Sequence, residues 1–183
     1  MKRITGLAML VIVALSPIAS AQSPQPYAGL ETRPIKALSD QQIADLKAGR
    51  GMGLALAAEL NGYPGPVHVI ELAQPLGLSN AQRAKVQELF AAMTAETVPL
   101  GQKLIAQEAD LDRQFANKTI TEPVLATSIQ TIGSSQAALR TAHLRYHLAT
   151  LDVLTPAQVK RYAELRGYAG APQAQHQDSG HRH

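Results

Sequence analysis

The sequence predicts an all-α protein with four main helices and one short helix, arranged as an antiparallel hairpin or bundle. Three copies of a helix-start pattern are the main observation: Leu38-Ser39-Asp40-Gln41-Gln42, Leu78-Ser79-Asn80-Ala81-Gln82 and Leu154-Thr155-Pro156-Ala157-Gln158. In each copy the Ser or Thr hydroxyl can accept a hydrogen bond from the backbone N–H of the last Gln, whose side chain can reach back, forming a capping box. A segment with helical apolar spacing follows each copy. The chain has no cysteine, so its stability has to come from helix packing.

The first 21 residues have the features of a secretory signal peptide. Lys2 and Arg3 precede an apolar run from Leu7 to Leu15, and the pattern Ala19-Ser20-Ala21 matches a cleavage site. Because this run is short for a membrane span, we expect cleavage, a periplasmic location and no stable membrane insertion afterwards. Residues 22–37 contain three prolines and no sustained apolar period, which predicts a flexible or extended lead-in.

Charge and composition argue against several classes of function. Without Lys2 and Arg3 the chain has 15 basic and 14 acidic residues, a formal net charge of +1, and no cluster of Lys and Arg offers a surface for nucleic acid. It also has no cysteine nucleophile, no Gly-x-Ser-x-Gly elbow and no His-Glu-x-x-His pair. We therefore expect a protein that is not an enzyme and does not bind nucleic acid.

The first helix is predicted from Ser39 to Leu60, with Asn61-Gly62 as its stop. The side chains available for burial are Ile43, Leu46, Leu54 and Leu56. Its middle contains Gly49-Arg50-Gly51-Met52-Gly53, and each glycine costs about 1 kcal/mol relative to alanine in a helix. Two interpretations stay open, namely close helix packing or a kink, and a hinge or flexible face used for binding. Pro66 then suits the first position of a short helix that runs to Ala73.

The central helix is predicted from the capped start at Ser79 to Phe115. Its apolar stripe has spacings of seven, four, seven and four residues, as in a helix of a bundle, and consists of Met93, Leu100, Leu104, Leu111 and Phe115. Pro99 removes one backbone donor inside this stripe. Because the stripe continues in register, we expect Pro99 to bend the helix without ending it.

Two more helices complete the predicted helical domain, which spans residues 38–168. One runs from about Glu122 to Leu151, and its seam consists of Leu125, Ile129, Ile132, Gln136, Leu139 and His143. The last helix begins after Thr155, has Pro156 in its first position and ends near Gly167. The tail over residues 169–183 has no apolar period and is expected to be disordered.

The six histidines lie in only three places, which suggests a metal site. His143 and His147 are one helical turn apart on one face, a spacing that allows both imidazoles to bind one zinc, copper or nickel ion. In the alternative interpretation His143 is a polar member of the helix seam and His147 is a partly exposed neighbour. The tail residues His176, His181 and His183 are expected to capture metal only loosely, or to have no role.

The three Leu-(Ser/Thr)-x-x-Gln copies in an exported, cysteine-free helical chain resemble the Spy/CpxP family, whose signature is an LTxxQ motif. Leu154-Thr155-Pro156-Ala157-Gln158 matches that signature fully, and the other two copies carry Ser in place of Thr. The resemblance covers residues 38–168. It implies a periplasmic helical protein, often a curved homodimer whose long bent helix lines a cradle. The implied activity is that of an ATP-independent chaperone for non-native proteins, or of a stress adaptor with a sensor partner.

Relatives within this resemblance include zinc-resistance-associated and heavy-metal-sensor proteins, which use histidine and carboxylate ligands on helices. By this resemblance His68 and Glu71, or Glu108 from the central helix, are candidates to complete a site with His143 and His147. The alternative function is therefore heavy-metal resistance or sensing through a zinc, copper or nickel ion. No other cofactor is expected.

Overall fold

The computed structural model describes residues 25–168, and every regular element in this range is helical. A short 3-10 helix at Leu30–Thr32 is followed by α1 (Asp40–Lys47), α2 (Leu56–Glu59), α3 (Pro66–Glu71), α4 (Asn80–Ala116), α5 (Glu122–Leu151) and α6 (Pro156–Leu165). The predicted all-α class is confirmed, with six α-helices in the described range where the sequence predicted five. The predicted signal peptide and the predicted disordered tail lie outside the described residues.

Helices α4 and α5 form an antiparallel hairpin at the centre of the fold. Where α4 begins, Nε2 of Gln82 donates a hydrogen bond of 2.9 Å to the carbonyl oxygen of Val153, just after α5. In the middle of the hairpin, the hydroxyl of Tyr146 donates to Oε2 of Glu96 over 3.1 Å. Helices α1 and α3 pack against α4, so the smaller elements gather on this hairpin.

The three predicted capping boxes all form. The hydroxyls of Ser39, Ser79 and Thr155 accept from the backbone N–H of the Gln three residues later over 3.2, 3.2 and 3.3 Å. Each Gln side chain in turn accepts from the backbone N–H of the Ser or Thr over 2.9, 3.1 and 2.9 Å. Helices α1, α4 and α6 therefore begin where the sequence predicted, because each start has its orphan N–H groups satisfied locally.

The prediction of a single helix over Ser39–Leu60 is wrong, because the chain leaves the helical conformation at the glycine segment. Helix α1 ends at Lys47, and Gly49 follows with a φ of +66°, the left-handed conformation in which glycine commonly terminates helices. A Cβ at Gly49 would lie 2.6 Å from Oγ1 of Thr97 on α4, so the chain crosses α4 where only glycine fits. Leu56, predicted to be buried, is 52% exposed in the resumed helix α2.

Two apolar cores lie along the hairpin. The core at the end where α4 begins consists of Val69, Ala73, Leu76, Leu78, Val86, Leu154 and Tyr162. The second core lies nearer the α4–α5 turn and consists of Ile35, Leu38, Leu46, Leu104, Ile132 and Leu139. The leucine that opens each helix-start pattern is buried in one of these two cores, so the pattern fixes packing as well as the cap.

Parts of the predicted seams are exposed near the α4–α5 turn. Ile129, predicted on the α5 seam, and Phe115, predicted on the α4 stripe, are each 53% exposed, and Gln136 is exposed too. Ser135 lies buried on α5 instead. The physical reason is that this end is mainly a two-helix layer, so side chains that face away from the partner helix meet no third element of the described chain.

The described part of the lead-in, residues 25–37, makes contacts with the hairpin. Its last residues are attached to the hairpin, because Ile35 is buried in the second core. The backbone N–H of Lys36 donates to Oδ1 of Asp112 on α4 over 3.2 Å, and Nζ of Lys36 lies 3.5 Å from Oδ2 of Asp112. This contact covers one face of α4 near the turn.

Helix α4 continues without a break through Pro99, as predicted. The missing N–H of Pro99 costs one helical hydrogen bond, and the bend expected there stays a prediction. Despite the length of the hairpin, no helix of residues 25–168 is both long enough and apolar enough to cross a membrane.

Candidate metal centre

All three histidines in the described range line one cavity of about 230 Å³. His68 comes from α3, and His143 and His147 come from α5, so the fold joins histidines that are distant in sequence. Glu59 at the end of α2 lines the same cavity. The sequence predicted His68, His143 and His147 as metal ligands, and in the structure all three line this cavity.

Local sequence explains how the histidines reach this cavity. Gly65 is the N-cap residue of α3 and Pro66 starts the helix, which places His68 in its first turn. His143 and His147 are separated by four residues on α5, so their side chains lie on the same face of the helix.

His147 is held in one orientation by the backbone of Tyr63. Nδ1 of His147 lies 2.7 Å from the carbonyl oxygen of Tyr63. Because a carbonyl oxygen only accepts, Nδ1 carries the proton, and in the neutral ring Nε2 keeps its lone pair. The side chain was predicted to be partly exposed in the alternative interpretation, but the residue is only 7% exposed.

Gly65 makes room beside the ring of His147. A Cβ at position 65 would lie 3.0 Å from Nε2 and 2.9 Å from Cε1 of His147, and 3.6 Å from Oε2 of Glu59. Gly65 has a φ of −83°, which any residue adopts, so its role here is spatial and not conformational. The absence of a side chain at this position keeps Nε2 of His147 accessible from the α3 side.

His143 is a buried imidazole whose Nε2 has no hydrogen-bond partner in the described chain. The residue is 2% exposed. Burial, and secondly the charge of His147, lower the pKa of His143, so this ring is neutral at physiological pH. A neutral imidazole nitrogen without a partner is a suitable metal donor.

Glu71 acts on His68 and does not line the cavity. Nδ1 of His68 lies 3.0 Å from Oε2 of Glu71, and the side chain of Glu71 is 60% exposed. The carboxylate accepts the Nδ1 proton, which leaves Nε2 of His68 as the nitrogen with a lone pair. This is the arrangement by which a carboxylate orients a metal-binding histidine, so the geometry favours a positioning role for Glu71 over the predicted role of ligand.

Glu59 is the residue of this cavity that the sequence analysis missed. It is 8% exposed, and its Oε1 accepts hydrogen bonds from the hydroxyls of Tyr162 and Tyr168. Its Oε2 accepts from the backbone N–H of Gly65 over 3.2 Å. A single acidic residue within the apolar run Ala57-Ala58-Glu59-Leu60 was the available signal, because a lone carboxylate in such a run is buried only with partners.

Nitrogen atoms of two side chains approach the Glu59 carboxylate. Nε of Arg166 lies 3.6 Å from Oε1 of Glu59, and Nδ1 of His147 lies 3.7 Å from Oε2. Through Tyr162, Arg166 and Tyr168, the carboxylate ties the end of α6 to the wall of the histidine cavity.

Glu108, the other candidate ligand, is not part of this site. It lines a different cavity with Lys36, Asp112 and Phe115, near the α4–α5 turn. Burial raises the pKa of Glu108. The structure therefore separates Glu108 from the histidines.

The nitrogen and oxygen donors of this cavity suit divalent metal ions of intermediate softness. Three imidazoles and a carboxylate, with no thiolate, suit copper, nickel or zinc. The unpartnered Nε2 of buried His143 is the specific observation that favours such an ion. Within residues 25–168, however, no three His, Cys, Asp or Glu side chains converge closely enough to hold a metal ion in their present positions.

Comparison with known proteins identifies the family of this chain. Residues 52–161 match the profile of the heavy-metal resistance family, which is more than half of the chain and includes all three cavity histidines. No curated protein and no solved structure gives a significant match. The chain therefore belongs to the heavy-metal resistance family, which is part of the Spy/CpxP-like helical superfamily.

Proposed function

We propose that this chain is a periplasmic protein that contributes to heavy-metal resistance by binding a divalent metal ion at the histidine cavity. The hydrogen bond from Nδ1 of His147 to the Tyr63 carbonyl carries this proposal. It presents Nε2 of a buried, oriented imidazole to the cavity, and metal-binding histidines nearly always donate their other ring N–H in this way. The role is binding and not catalysis.

The ligands in this proposal are the Nε2 atoms of His143, His147 and His68. The nearby Glu59 carboxylate adds a negative charge to the wall, which favours a cation in a poorly solvated cavity. Among the candidate ions, Cu²⁺ should bind most tightly and Ni²⁺ and Zn²⁺ more weakly, following the general order for nitrogen and oxygen sites. Because no three ligand side chains of the described residues already converge, binding has to draw the imidazoles together.

Calorimetric titration with Cu²⁺, Ni²⁺ and Zn²⁺ tests the proposal. The informative variant is His143→Asn plus His147→Asn, because an Asn amide nitrogen can take the place of Nδ1 while Nε2 is lost. We expect at least about a hundredfold loss of affinity, since loss of a supporting group alone costs about 10–100-fold.

Arg140→Gln is the matched control on the same helix, at an exposed position away from the cavity. Its affinity should equal that of the unchanged chain. Thermal unfolding of each variant verifies that it is folded. If the doubly substituted chain is folded and binds all three ions as tightly as the unchanged chain, the cavity is not the metal site.

A second candidate function is that of an ATP-independent chaperone, and the exposed surface near the α4–α5 turn favours it. Phe115, Val124 and Ile129 are 53%, 39% and 53% exposed. A cavity of about 580 Å³ lies between α4 and α5 there, lined by Ala106 and Asp110 on one helix and by Val124 and Thr127 on the other. Exposed apolar groups of this kind can bind the apolar segments of non-native proteins. In this proposal the active form is a homodimer.

Suppression of the aggregation of an unfolding test protein, measured without ATP, tests the chaperone function. Phe115→Ser plus Ile129→Ser should weaken suppression without unfolding the chain, because both side chains are already exposed. Leu148→Ser is the control, since Leu148 is 54% exposed on another part of α5. Absence of suppression by the unchanged chain would reject this function, and equal losses in both variants would reject the surface.

A further inference from the structure

Both methionines of the described range line the histidine cavity. Met52 comes from the glycine segment, residues 49–53, and Met93 comes from α4. The other two methionines of the chain, Met1 and Met9, lie outside the described residues. The fold therefore brings both described methionines to the same cavity as the three described histidines.

One buried hydroxyl joins the glycine segment to the turn of α4 that contains Met93. Oγ1 of Thr97, which is fully buried, lies 2.8 Å from the carbonyl oxygen of Met93 and 3.3 Å from that of Gly49. Further along the segment, a Cβ at Gly51 would lie 3.4 Å from Nδ1 of His143. The segment that carries the other methionine is therefore anchored on α4 and passes beside His143.

The backbone at Met52 has a conformation that is uncommon for residues other than glycine. Its φ is +48°, in the left-handed region. Such conformations cluster at functional sites, where the surrounding structure holds them. Met52 is 43% exposed and Met93 is 6% exposed, so an ion that arrives from solvent meets the flexible side chain of Met52 first.

The ligands that metals use most often in proteins do not by themselves complete a site in this cavity. No three His, Cys, Asp or Glu side chains of residues 25–168 converge on one point. The chain has no cysteine, so methionine supplies its only sulfur. Thioethers are soft ligands that select Cu⁺, and imidazole also suits copper. Copper is therefore the metal that suits both the thioethers and the imidazoles of this cavity.

We propose that the histidine cavity is a Cu⁺ site in which the thioethers of Met52 and Met93 bind the ion together with Nε2 of His143 and His147. This inference rests on the proposed metal-binding function and extends it to the reduced ion. The buried Nε2 of His143 has no hydrogen-bond partner in the described chain, so binding copper there breaks no hydrogen bond. Zinc is held in proteins by thiolate, imidazole and carboxylate, so the two methionines favour Cu⁺ over Zn²⁺.

The Cu⁺ affinity of the Met52→Leu plus Met93→Leu chain tests this inference. Leucine keeps about the volume of methionine and removes the sulfur, so the cavity wall is retained. Cu⁺ is supplied anaerobically with ascorbate, and its affinity is measured by competition with a chromophoric Cu⁺ chelator. We expect a loss of at least about tenfold, since loss of a supporting group alone costs about 10–100-fold. The calorimetric affinities for Zn²⁺ and Cu²⁺ should be unchanged, because nitrogen and oxygen ligands suit both ions.

Met9→Leu in the full chain is the matched control, because it removes the same chemical group outside the described residues. It should leave the Cu⁺ affinity unchanged. Met52→Leu alone should cause part of the loss, and its exposed position keeps the test valid even where the doubly substituted chain does not fold.

Copper K-edge X-ray absorption gives a second readout that packing alone does not change. Sulfur neighbours of copper should be present in the unchanged chain and in Met9→Leu. They should be absent in the folded Met52→Leu plus Met93→Leu chain, which would retain only nitrogen and oxygen neighbours.

The other outcomes separate this inference from the proposed function. If Cu⁺ binding depends on His143 and His147 but is unchanged in Met52→Leu plus Met93→Leu, this inference is wrong and the proposed function stands. Equal losses for Cu⁺, Cu²⁺ and Zn²⁺ in the folded methionine variant would also overturn it, because the substitutions would then act through packing and not through sulfur.

The variant His143→Asn plus His147→Asn completes the comparison. Cu⁺ affinity that is unaffected by these substitutions means that the methionines do not share a site with the histidines, which overturns the inference. If the folded variant binds Cu²⁺, Ni²⁺ and Zn²⁺ as tightly as the unchanged chain, the proposed function itself fails.

Discussion

The side-chain amides of Gln82 and Gln158 form two reciprocal hydrogen bonds. Nε2 of Gln82 donates to Oε1 of Gln158 over 2.8 Å, and Nε2 of Gln158 donates to Oε1 of Gln82 over 3.1 Å. Each of these glutamines also closes the capping box of its own helix. The second and third copies of the helix-start pattern therefore contact each other and join the start of α4 to the start of α6.

Gln82→Glu should destabilise the protein, because the carboxylate can still cap α4 but can no longer donate. The carbonyl oxygen of Val153 and Oε1 of Gln158 would each lose a donor in a partly buried site. The expected loss in the free energy of unfolding is about 1–3 kcal/mol, measured by urea denaturation at neutral pH.

Gln42→Glu is the matched control for this change, because Gln42 closes the first capping box at an exposed position. Glutamate serves in a capping box as well as glutamine, and its charge interacts favourably with a helix N-terminus. The free energy of unfolding should change by less than about 0.5 kcal/mol. An equal loss of unfolding free energy in the two variants would show that the hydrogen bonds between Gln82 and Gln158 add no stability beyond that of the capping box.

Gly101 allows α1 to approach α4 closely, and Gly101→Ala should disrupt this contact. A Cβ at position 101 would lie 2.3 Å from the carbonyl oxygen of Leu46, a backbone atom that cannot move by rotation of a side chain. The expected cost is about 1–3 kcal/mol, as for other overpacked cores. A shift of the thermal unfolding midpoint to lower temperature is the measurement.

Gly133→Ala gives the opposite result in the same experiment. Gly133 lies inside α5, and a Cβ there would meet no atom within 4 Å. Alanine should stabilise the helix by about 1 kcal/mol, because glycine has the higher conformational entropy in the unfolded chain. A destabilised Gly133→Ala chain would mean that this face of α5 is occupied.

These contrasts show which parts of the fold a single sequence specifies. The capped starts of α1, α4 and α6 were predictable, because a capping box depends only on residues within one turn. The division of the first helix at Gly49 was not, since it depends on Thr97 lying across the chain. The exposure of Ile129 likewise depends on where the layer of helices ends, which periodicity along one helix does not contain.

The candidate site was likewise only partly predictable from the sequence. The spacing of His143 and His147 indicated a shared face, but the roles of their ring nitrogens depend on the Tyr63 carbonyl and on Gly65. Glu59 could not be assigned from spacing, because its partners Tyr162 and Tyr168 are distant in sequence. The hydrogen-bond partners in a buried polar network are set by tertiary contacts. A local sequence pattern shows only which polar residues would need such partners if they were buried.

Glu71→Gln should weaken metal binding without lowering the stability of the protein. The carboxylate of Glu71 accepts the Nδ1 proton of His68 over 3.0 Å, and the amide would orient the ring less firmly and make it a weaker donor. We expect about a tenfold loss of affinity for Cu²⁺ or Zn²⁺ by calorimetry. Glu88→Gln removes another exposed carboxylate, which pairs with Lys85, and should change nothing. Equal affinities in all three chains would remove His68 from the ligand set.

The stability of the metal-free protein should decrease as the pH falls from about 7.5 to 5.5, because of His143. Its pKa is lowered in the folded state by burial and by the charge of His147, whereas the free imidazole has a pKa of about 6.5. Below that pH the unfolded chain binds a proton that the folded chain resists, so the folded state loses stability until the pH passes the lowered pKa.

The expected slope from this one proton is at most about 1.4 kcal/mol per pH unit, measured by urea denaturation in the presence of a chelator. His68, His147, Glu59 and Arg166 line the same cavity, so the comparison is made between variants. His143→Gln should flatten the profile, because an amide does not titrate, whereas Arg140→Gln on the exposed side of α5 should leave it unchanged. If the His143→Gln profile is as steep as that of the unchanged chain, burial of His143 is not what makes the fold sensitive to acid.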